Sequence, residues 1–146
     1  MSVIRVFTDG ACSGNPGNGG WGVVIIKDTE IFKYNGSESD TTNNRMELKA
    51  AIEGIKLVAN ESTLTLYTDS KYVKDGITSW IENWKKNNWK TSSKKPVKNQ
   101  DLWEQLDILN EKYDVVWEWV KGHQIEETEH SRYNNLADEL ARDAVK

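Results

Sequence analysis

An alternating run from Val3 to Ala11, stopped by the glycine-rich stretch Gly10-Ala11-Cys12-Ser13-Gly14-Asn15-Pro16-Gly17-Asn18-Gly19-Gly20, constrains this chain most. Arg5, Phe7 and Asp9 fall on one face and Ile4, Val6 and Thr8 on the other, the period of a strand, and the glycines and proline end it. Trp21–Lys27 and Glu30–Tyr34 read as two further strands around an Asp28-Thr29 turn. This antiparallel start needs a cover, and Thr42–Asn60 supplies it, with Met46, Ala50, Ile52, Ile55 and Val58 at helical spacing. Thr63–Thr68 predicts a fourth strand and Val115–Val120 a fifth. Ser70–Asp75, Thr78–Lys86, Gln100–Lys112 and Asn135–Val145 predict helices, and Asn87–Lys98 an exposed loop. The order predicts an α/β fold: a five-stranded mixed sheet with helices on both faces, in one domain spanning 1–146.

Net charge is −4 overall, which argues against a polyanionic partner until the charges are placed. Between Lys71 and Lys98 eight lysines face only Asp75 and Glu82, a local charge of +6, while the remainder carries −10. Screening limits a charge to a reach of about 8–10 Å, so a nucleic acid would feel the patch rather than the mean. A solvated helix face and loop is the plainer reading of the same charges. With one cysteine, Cys12, an internal disulfide is excluded. The opening Met1-Ser2-Val3-Ile4-Arg5 lacks the form of a signal peptide, and no apolar run approaches the ~20 residues of a membrane span. A cytoplasmic protein with no membrane partner is expected.

Four acids stand at chain positions that can converge: Asp9 ending the first strand, Glu47 early in the first long helix, Asp69 ending the fourth strand, and Asp138 opening the last helix. Each has a structural explanation. Acids in a first helical turn suit the helix dipole, which covers Glu47 and Asp138; Asp69 can cap the helix beginning at Ser70, and Asp138 can answer an N-cap at Asn135. Together, at one sheet edge, they would repel unless hard cations lay between them, and Mg²⁺ suits oxygen ligands shared with a phosphate. One cysteine and two histidines supply no structural-zinc pattern.

The motifs Phe7-Thr8-Asp9-Gly10-Ala11-Cys12-Ser13-Gly14-Asn15-Pro16-Gly17, Thr41-Thr42-Asn43-Asn44-Arg45-Met46-Glu47-Leu48, Thr68-Asp69-Ser70 with Tyr72-Val73, and Trp119-Val120-Lys121-Gly122-His123 followed by Asn134-Asn135-Leu136-Ala137-Asp138-Glu139-Leu140-Ala141-Arg142 occur in order over essentially the whole chain. In this the chain resembles type 1 ribonuclease H, of the bacterial ribonuclease HI kind. The resemblance implies the ribonuclease H-like fold and an endonuclease that hydrolyses the RNA strand of RNA/DNA hybrids by two-metal-ion catalysis, leaving 5′-phosphate and 3′-hydroxyl ends. It implies Asp9, Glu47, Asp69 and Asp138 as ligands of two Mg²⁺ ions, with Mn²⁺ able to substitute. His123 matches the histidine that moves a proton or releases product, with His130 as its rival. Gly10, Cys12, Asn15, Thr42, Asn43 and Asn44 match positions that contact the hybrid, where hydrogen bonds can read the RNA 2′-hydroxyls. Helix capping is the alternative for this cluster.

Trp80-Ile81-Glu82-Asn83-Trp84-Lys85-Lys86 and the lysines up to Lys98 resemble the family's basic protrusion, about 78–99, which grips the DNA strand. Trp80, Trp84, Lys85 and Lys86 are the implied contacts, although two tryptophans at that spacing also suit core packing. The protrusion implies an enzyme that binds substrate without a tethered polymerase or extra hybrid-binding domain, and a monomer without an obligate protein partner is the default expectation. Two features depart from the family. Lys71 stands where glutamine is frequent, and Gln124–Tyr133 is a longer loop, carrying Glu126, Glu127 and Glu129, expected to be solvated or to tune metal affinity beside His123. The rival readings are a silent hybrid- or double-stranded-RNA-binding module and a related nuclease acting on DNA.

Overall fold

The computed structural model describes residues 4–58, 63–122 and 128–145. Five strands form one sheet: β1 (Ile4–Cys12), β2 (Gly17–Lys27), β3 (Glu30–Thr41), β4 (Thr63–Thr68) and β5 (Asp114–Trp119). Their order across the sheet is β3-β2-β1-β4-β5. β1 pairs antiparallel with β2 and β2 with β3, while β1–β4 and β4–β5 are parallel. The mixed sheet expected from the sequence is present. Helix α1 (Asn43–Leu57) covers one face. Its Leu48, Ala51, Ile52 and Ile55 join Ile4, Val6, Val23, Ile25, Leu64 and Leu66 in the main core. Helix α5 (Glu129–Ala144) covers the other face, where Ala137, Leu136 and Leu140 meet Phe7, Val24 and Ile26.

Two glycines let the helices come this close. A Cβ at Gly22 would stand 2.3 Å from the Ala137 carbonyl oxygen of α5, and one at Gly10 would stand 2.4 Å from the Glu47 nitrogen of α1. Backbone-to-backbone approach of this kind leaves room only for hydrogen.

Beyond β4 the chain runs through α2 (Lys71–Asp75), a π-helical turn at Gly76–Trp80 and α3 (Ile81–Lys86) with no break, and then to α4 (Gln100–Lys112). The two helices expected at Ser70–Asp75 and Thr78–Lys86 are therefore one irregular rod. Trp103 of α4 is fully buried beneath it. A Cβ at Gly76 would lie 2.0 Å from the Trp103 ring, and the ring also stacks near Tyr72 (5.2 Å) and Trp84 (5.3 Å). Asn87–Lys98 is not a simple exposed loop. Val97 is buried, its amide donates to the Trp89 carbonyl at 3.1 Å, and Lys90 bridges to Pro96.

Three boundaries differ from expectation. β2 begins at Gly17, inside the glycine-rich stretch, and β3 runs on to Thr41 rather than ending at Tyr34. α5 begins at Glu129, six residues before the predicted start, behind a reciprocal cap in which Thr128 accepts from the Ser131 amide at 3.1 Å and Ser131 accepts from the Thr128 amide at 3.0 Å. The part of the predicted Gln124–Tyr133 loop from Glu129 onward is thus helix; Gln124–Glu127 lie outside the described residues. No helix among the described residues is long and apolar enough to cross a membrane.

Candidate active site

Parallel pairing of β1 with β4 sets Thr8 opposite Thr68, so the next residue of each chain, Asp9 and Asp69, emerges at the same end of the sheet. Glu47 approaches from α1, brought in by the close contact at Gly10. Asp9, Glu47 and Asp69 each offer an oxygen such that all three lie within 4.8 Å of one another, with Asp9 and Glu47 buried. Asp138 on α5 lines the same cleft, with Arg142 beside it. Arg142 Nε donates to Asp138 Oδ2 at 3.0 Å.

None of the structural explanations for these acids survives. Glu47 lies past the first turn of α1, which contains no acidic residue, and Thr42 is its cap, accepting from the Arg45 amide at 3.2 Å. Ser70, not Asp69, caps α2. Asp138 lies ten residues beyond Thr128, far from the positive end of α5, and Asn135 is mid-helix. The capping and dipole explanations therefore fall for all of them; Asp138 keeps a local partner in Arg142, and convergence is what the four share.

The charge they would carry is costly. Burial raises the Asp9 pKa first, followed by the nearby charges of Glu47 and Asp69; burial likewise raises Glu47, followed by the charge of Asp69. Glu47 Oε1 is buried with no hydrogen-bond partner among the described residues. A carboxylate with an unpaired buried oxygen, gathered with two other carboxylates, is a group a divalent cation satisfies, and an all-oxygen set suits a hard ion. The residues present fit a metal.

A second groove opens beside the first. Asn15, Thr42, Asn43 and Asn44 line it together with Lys98 and Asn99, and Asn43 lines both clefts. Gly10 and Cys12 border the carboxylates, with Cys12 Sγ donating to the Thr41 carbonyl at 3.3 Å. Asn99 had no signal in the sequence. It reaches the groove by a left-handed backbone (φ 62°) at the start of α4, and its side chain accepts from Arg45 at 3.2 Å while donating to the Tyr72 hydroxyl at 3.1 Å. Arg45 also clamps Asp101 through two bonds of 3.0 and 2.8 Å, which fastens the root of the protrusion to the start of α1.

On the protrusion, Trp80 is 41% exposed and Trp84 is wedged between Trp80, Trp89 and Trp103. Trp84 therefore packs, as its spacing also allowed, while its half-buried ring borders an outer groove with Trp80 and Lys90. Lys85 turns back to α4, pairing with Glu111 at 2.7 Å and Asp107 at 3.2 Å, and these two carboxylates hold its pKa up at about 12. Lys86 instead lines an outer groove with Lys90 and Lys94. Lys71, opening α2, places its ammonium 4.8 Å over the Trp119 ring. His123 lies outside the described residues. Its rival His130 sits in the first turn of α5 with its ring 4.6 Å from Tyr67, among aromatic side chains rather than among the residues lining the carboxylate cleft.

Known proteins agree with this architecture. A family model described as RNase H matches residues 1–146. The chain is 54% identical over 145 residues to the ribonuclease H of Hydrogenovibrio crunogenus, covering 99% of this chain and 97% of that protein. It is 51% identical over 146 residues to the ribonuclease H of Brucella anthropi, covering 100% and 92%. Among solved structures, LC9-RNase H1, a type 1 RNase H with the type 2 active-site motif, superposes with a TM-score of 0.83 at 30% identity, covering 99% of this chain and 72% of that one. The PFV RNase H domain superposes at 0.85 with 24% identity, covering 99% and 95%, and speaks for the fold alone. With its whole length matched and a converged carboxylate cleft in place, the chain belongs to the RNase H family, metal-dependent endonucleases that hydrolyse RNA in RNA/DNA hybrids.

Proposed function

We propose that Asp9, Glu47, Asp69 and Asp138 hold two Mg²⁺ ions, replaceable by Mn²⁺, and that the chain cuts internal phosphodiesters of hybrid-bound RNA to leave 5′-phosphate and 3′-hydroxyl ends. The observation that carries this reading is the approach of one oxygen each of Asp9, Glu47 and Asp69 to within 4.8 Å of one another. When bound, the ions activate the attacking water and stabilise the leaving oxygen. The protein's own groups bind and orient. Asn15, Thr42, Asn43 and Asn44 offer hydrogen bonds to 2′-hydroxyls and phosphates in the groove continuous with the carboxylates through Asn43, and Gly10 and Cys12 bring backbone to the same edge. Lys71 follows Asp69 closely at the start of α2, where its charge favours phosphate. His123 is assigned the proton or product step by its motif. Residues 1–146 act as one domain, monomeric and cytoplasmic, without an obligate protein partner.

Labelled RNA/DNA hybrid, double-stranded RNA and double-stranded DNA, each with Mg²⁺ or chelator, test the assignment beside Asp69→Asn. Metal-dependent cutting confined to RNA in the hybrid and lost in Asp69→Asn is the expected result. Tight binding without cutting, or cutting of duplex DNA, would reject it.

The protrusion is expected to act through Lys86, Lys90 and Lys94 and through the exposed Trp80 ring. Replacing the three lysines together by alanine should lower the slope of log affinity against log salt by roughly 2–3, close to one for each phosphate no longer neutralised. Lys85→Ala should leave that slope nearly unchanged and loosen α3 from α4 instead, because Lys85 is spent on Asp107 and Glu111. Equal slopes for wild type and the triple variant would remove the protrusion from the binding surface.

A further inference from the structure

Asp69 is held from three directions, by three residues that stand in the last of the ordered motifs with no role given to them there. Trp119 Nε1 donates to its backbone carbonyl at 3.1 Å. The chain after β5 closes on its side chain, since a Cβ at Gly122 would stand 2.6 Å from Asp69 Oδ2. On the third side Asn134 Nδ2 donates to that same Oδ2 at 3.4 Å. Asn134 is 1% exposed, and its own Oδ1 is buried without a hydrogen-bond partner among the described residues.

The orientation of this amide follows from charge. Turned the other way, its oxygen would face the carboxylate of Asp69, and two acceptors would oppose each other. A buried acceptor left unpaired is destabilising, and an apolar side chain of similar volume would remove that cost. Violations of this sort are expected where function, not stability, sets the residue. Asn134 also lies one helical turn before Asp138, so α5 presents both to the same cleft.

We infer that Asn134 is a positioning residue: its amide fixes the Asp69 carboxylate toward Asp9 and Glu47, so the metal-holding set is arranged before any ion arrives. This rests on the reading that these carboxylates bind the ions. Groups that orient a metal ligand typically change metal affinity or activity by about 10–100-fold when removed.

Substrate-free protein is titrated with Mg²⁺ and with Mn²⁺ and followed by the rise in unfolding temperature, for wild type, Asn134→Leu, Asn134→Ala, Asp69→Asn and Asp69→Asn combined with Asn134→Leu. Asn134→Leu should keep the metal-free unfolding temperature at or above wild type while moving the metal midpoint up roughly 10–100-fold. Its kcat should fall with KM for the hybrid unchanged. In the Asp69→Asn background the same substitution should leave the metal midpoint where it is, because Asn134 acts through Asp69. A wild-type midpoint in Asn134→Leu, or an equal shift in both backgrounds, overturns the inference. Asn134→Ala carries the same comparison if the leucine does not fold. Absence of any metal-induced shift in the wild type would instead overturn the carboxylate reading, and this inference with it.

Discussion

Asp9→Asn is expected to abolish cleavage and, in chelator, to make the protein more stable. Activity should fall by at least roughly 10³-fold, since the variant removes an oxygen ligand from the centre of the cluster. Stability moves the other way because burial, and then the charges of Glu47 and Asp69, raise the Asp9 pKa. Above the ordinary carboxyl range, about pH 4, the unfolded chain has lost protons that folded Asp9 and Glu47 retain. The folded state then binds more protons, so metal-free stability falls as pH rises from about 4 through the raised folded values. Below that range both states are protonated and the cost vanishes. Asn at position 9 carries no charge, so the decline should flatten and the variant should exceed wild type by about 1–3 kcal/mol at pH 8, the worth of one to two pKa units. Added Mg²⁺ should reverse the order by stabilising only the wild type. Urea unfolding at pH 5 and pH 8, with chelator and with Mg²⁺, measures all four cases. Equal pH slopes for the two proteins would show that the cluster is not strained.

Trp103→Ala should be the most damaging single change away from the carboxylates. The side chain is fully buried and locks α4 to the irregular rod through Gly76, Tyr72 and Trp84, and its Nε1 donates to the Tyr72 hydroxyl at 3.1 Å. Truncation leaves a large cavity and removes one of the two donors to that hydroxyl, a loss of about 3–5 kcal/mol. Trp103→Phe keeps most of the volume and should lose less. The protrusion rests on this packing, so hybrid affinity at low salt should fall with stability in the alanine variant. A loss below about 1 kcal/mol would mean that the rod is held elsewhere.

The acids that form the cleft were legible because the motifs around them are local and ordered along the chain. The elements carrying Asp9, Glu47 and Asp69 could be read from hydrophobic periodicity, although β1 runs three residues past Asp9 and Glu47 lies beyond the first turn of α1. Asp138 was placed in the right helix and the wrong turn. The segment Thr128–Asn134 is polar, and its cap uses Ser131 where the familiar box has an acid or amide, so periodicity begins only near Asn135. β3 beyond Tyr34 was hidden for a related reason: Asn35, Gly36, Ser37, Glu38, Ser39 and Asp40 are polar because they edge the sheet, and the ladder to β2 rather than burial holds them.

Lys85 shows where sequence-level reasoning about charge stops. Eight lysines between positions 71 and 98 form one patch on paper, yet Asp107 and Glu111 come from α4 and take Lys85 out of it. Asn99, Arg45 and Asn134 act through partners 27 to 65 residues away, so that even where a motif contains them, as it does Arg45 and Asn134, their neighbours do not say what they touch.

What the amino-acid sequence determined by itself is what repeats or clusters at short range: the strand and helix periods, the basic stretch, and the four acids in their motifs. Which acids meet, which lysine is spent, and which asparagine braces Asp69 were decided by the tertiary structure. Parallel pairing of β1 with β4 and the close approach of α1 and α5 over glycine bring together groups far apart in the chain. Only that approach converts separate carboxylates into a buried cluster whose repulsion calls for a cation.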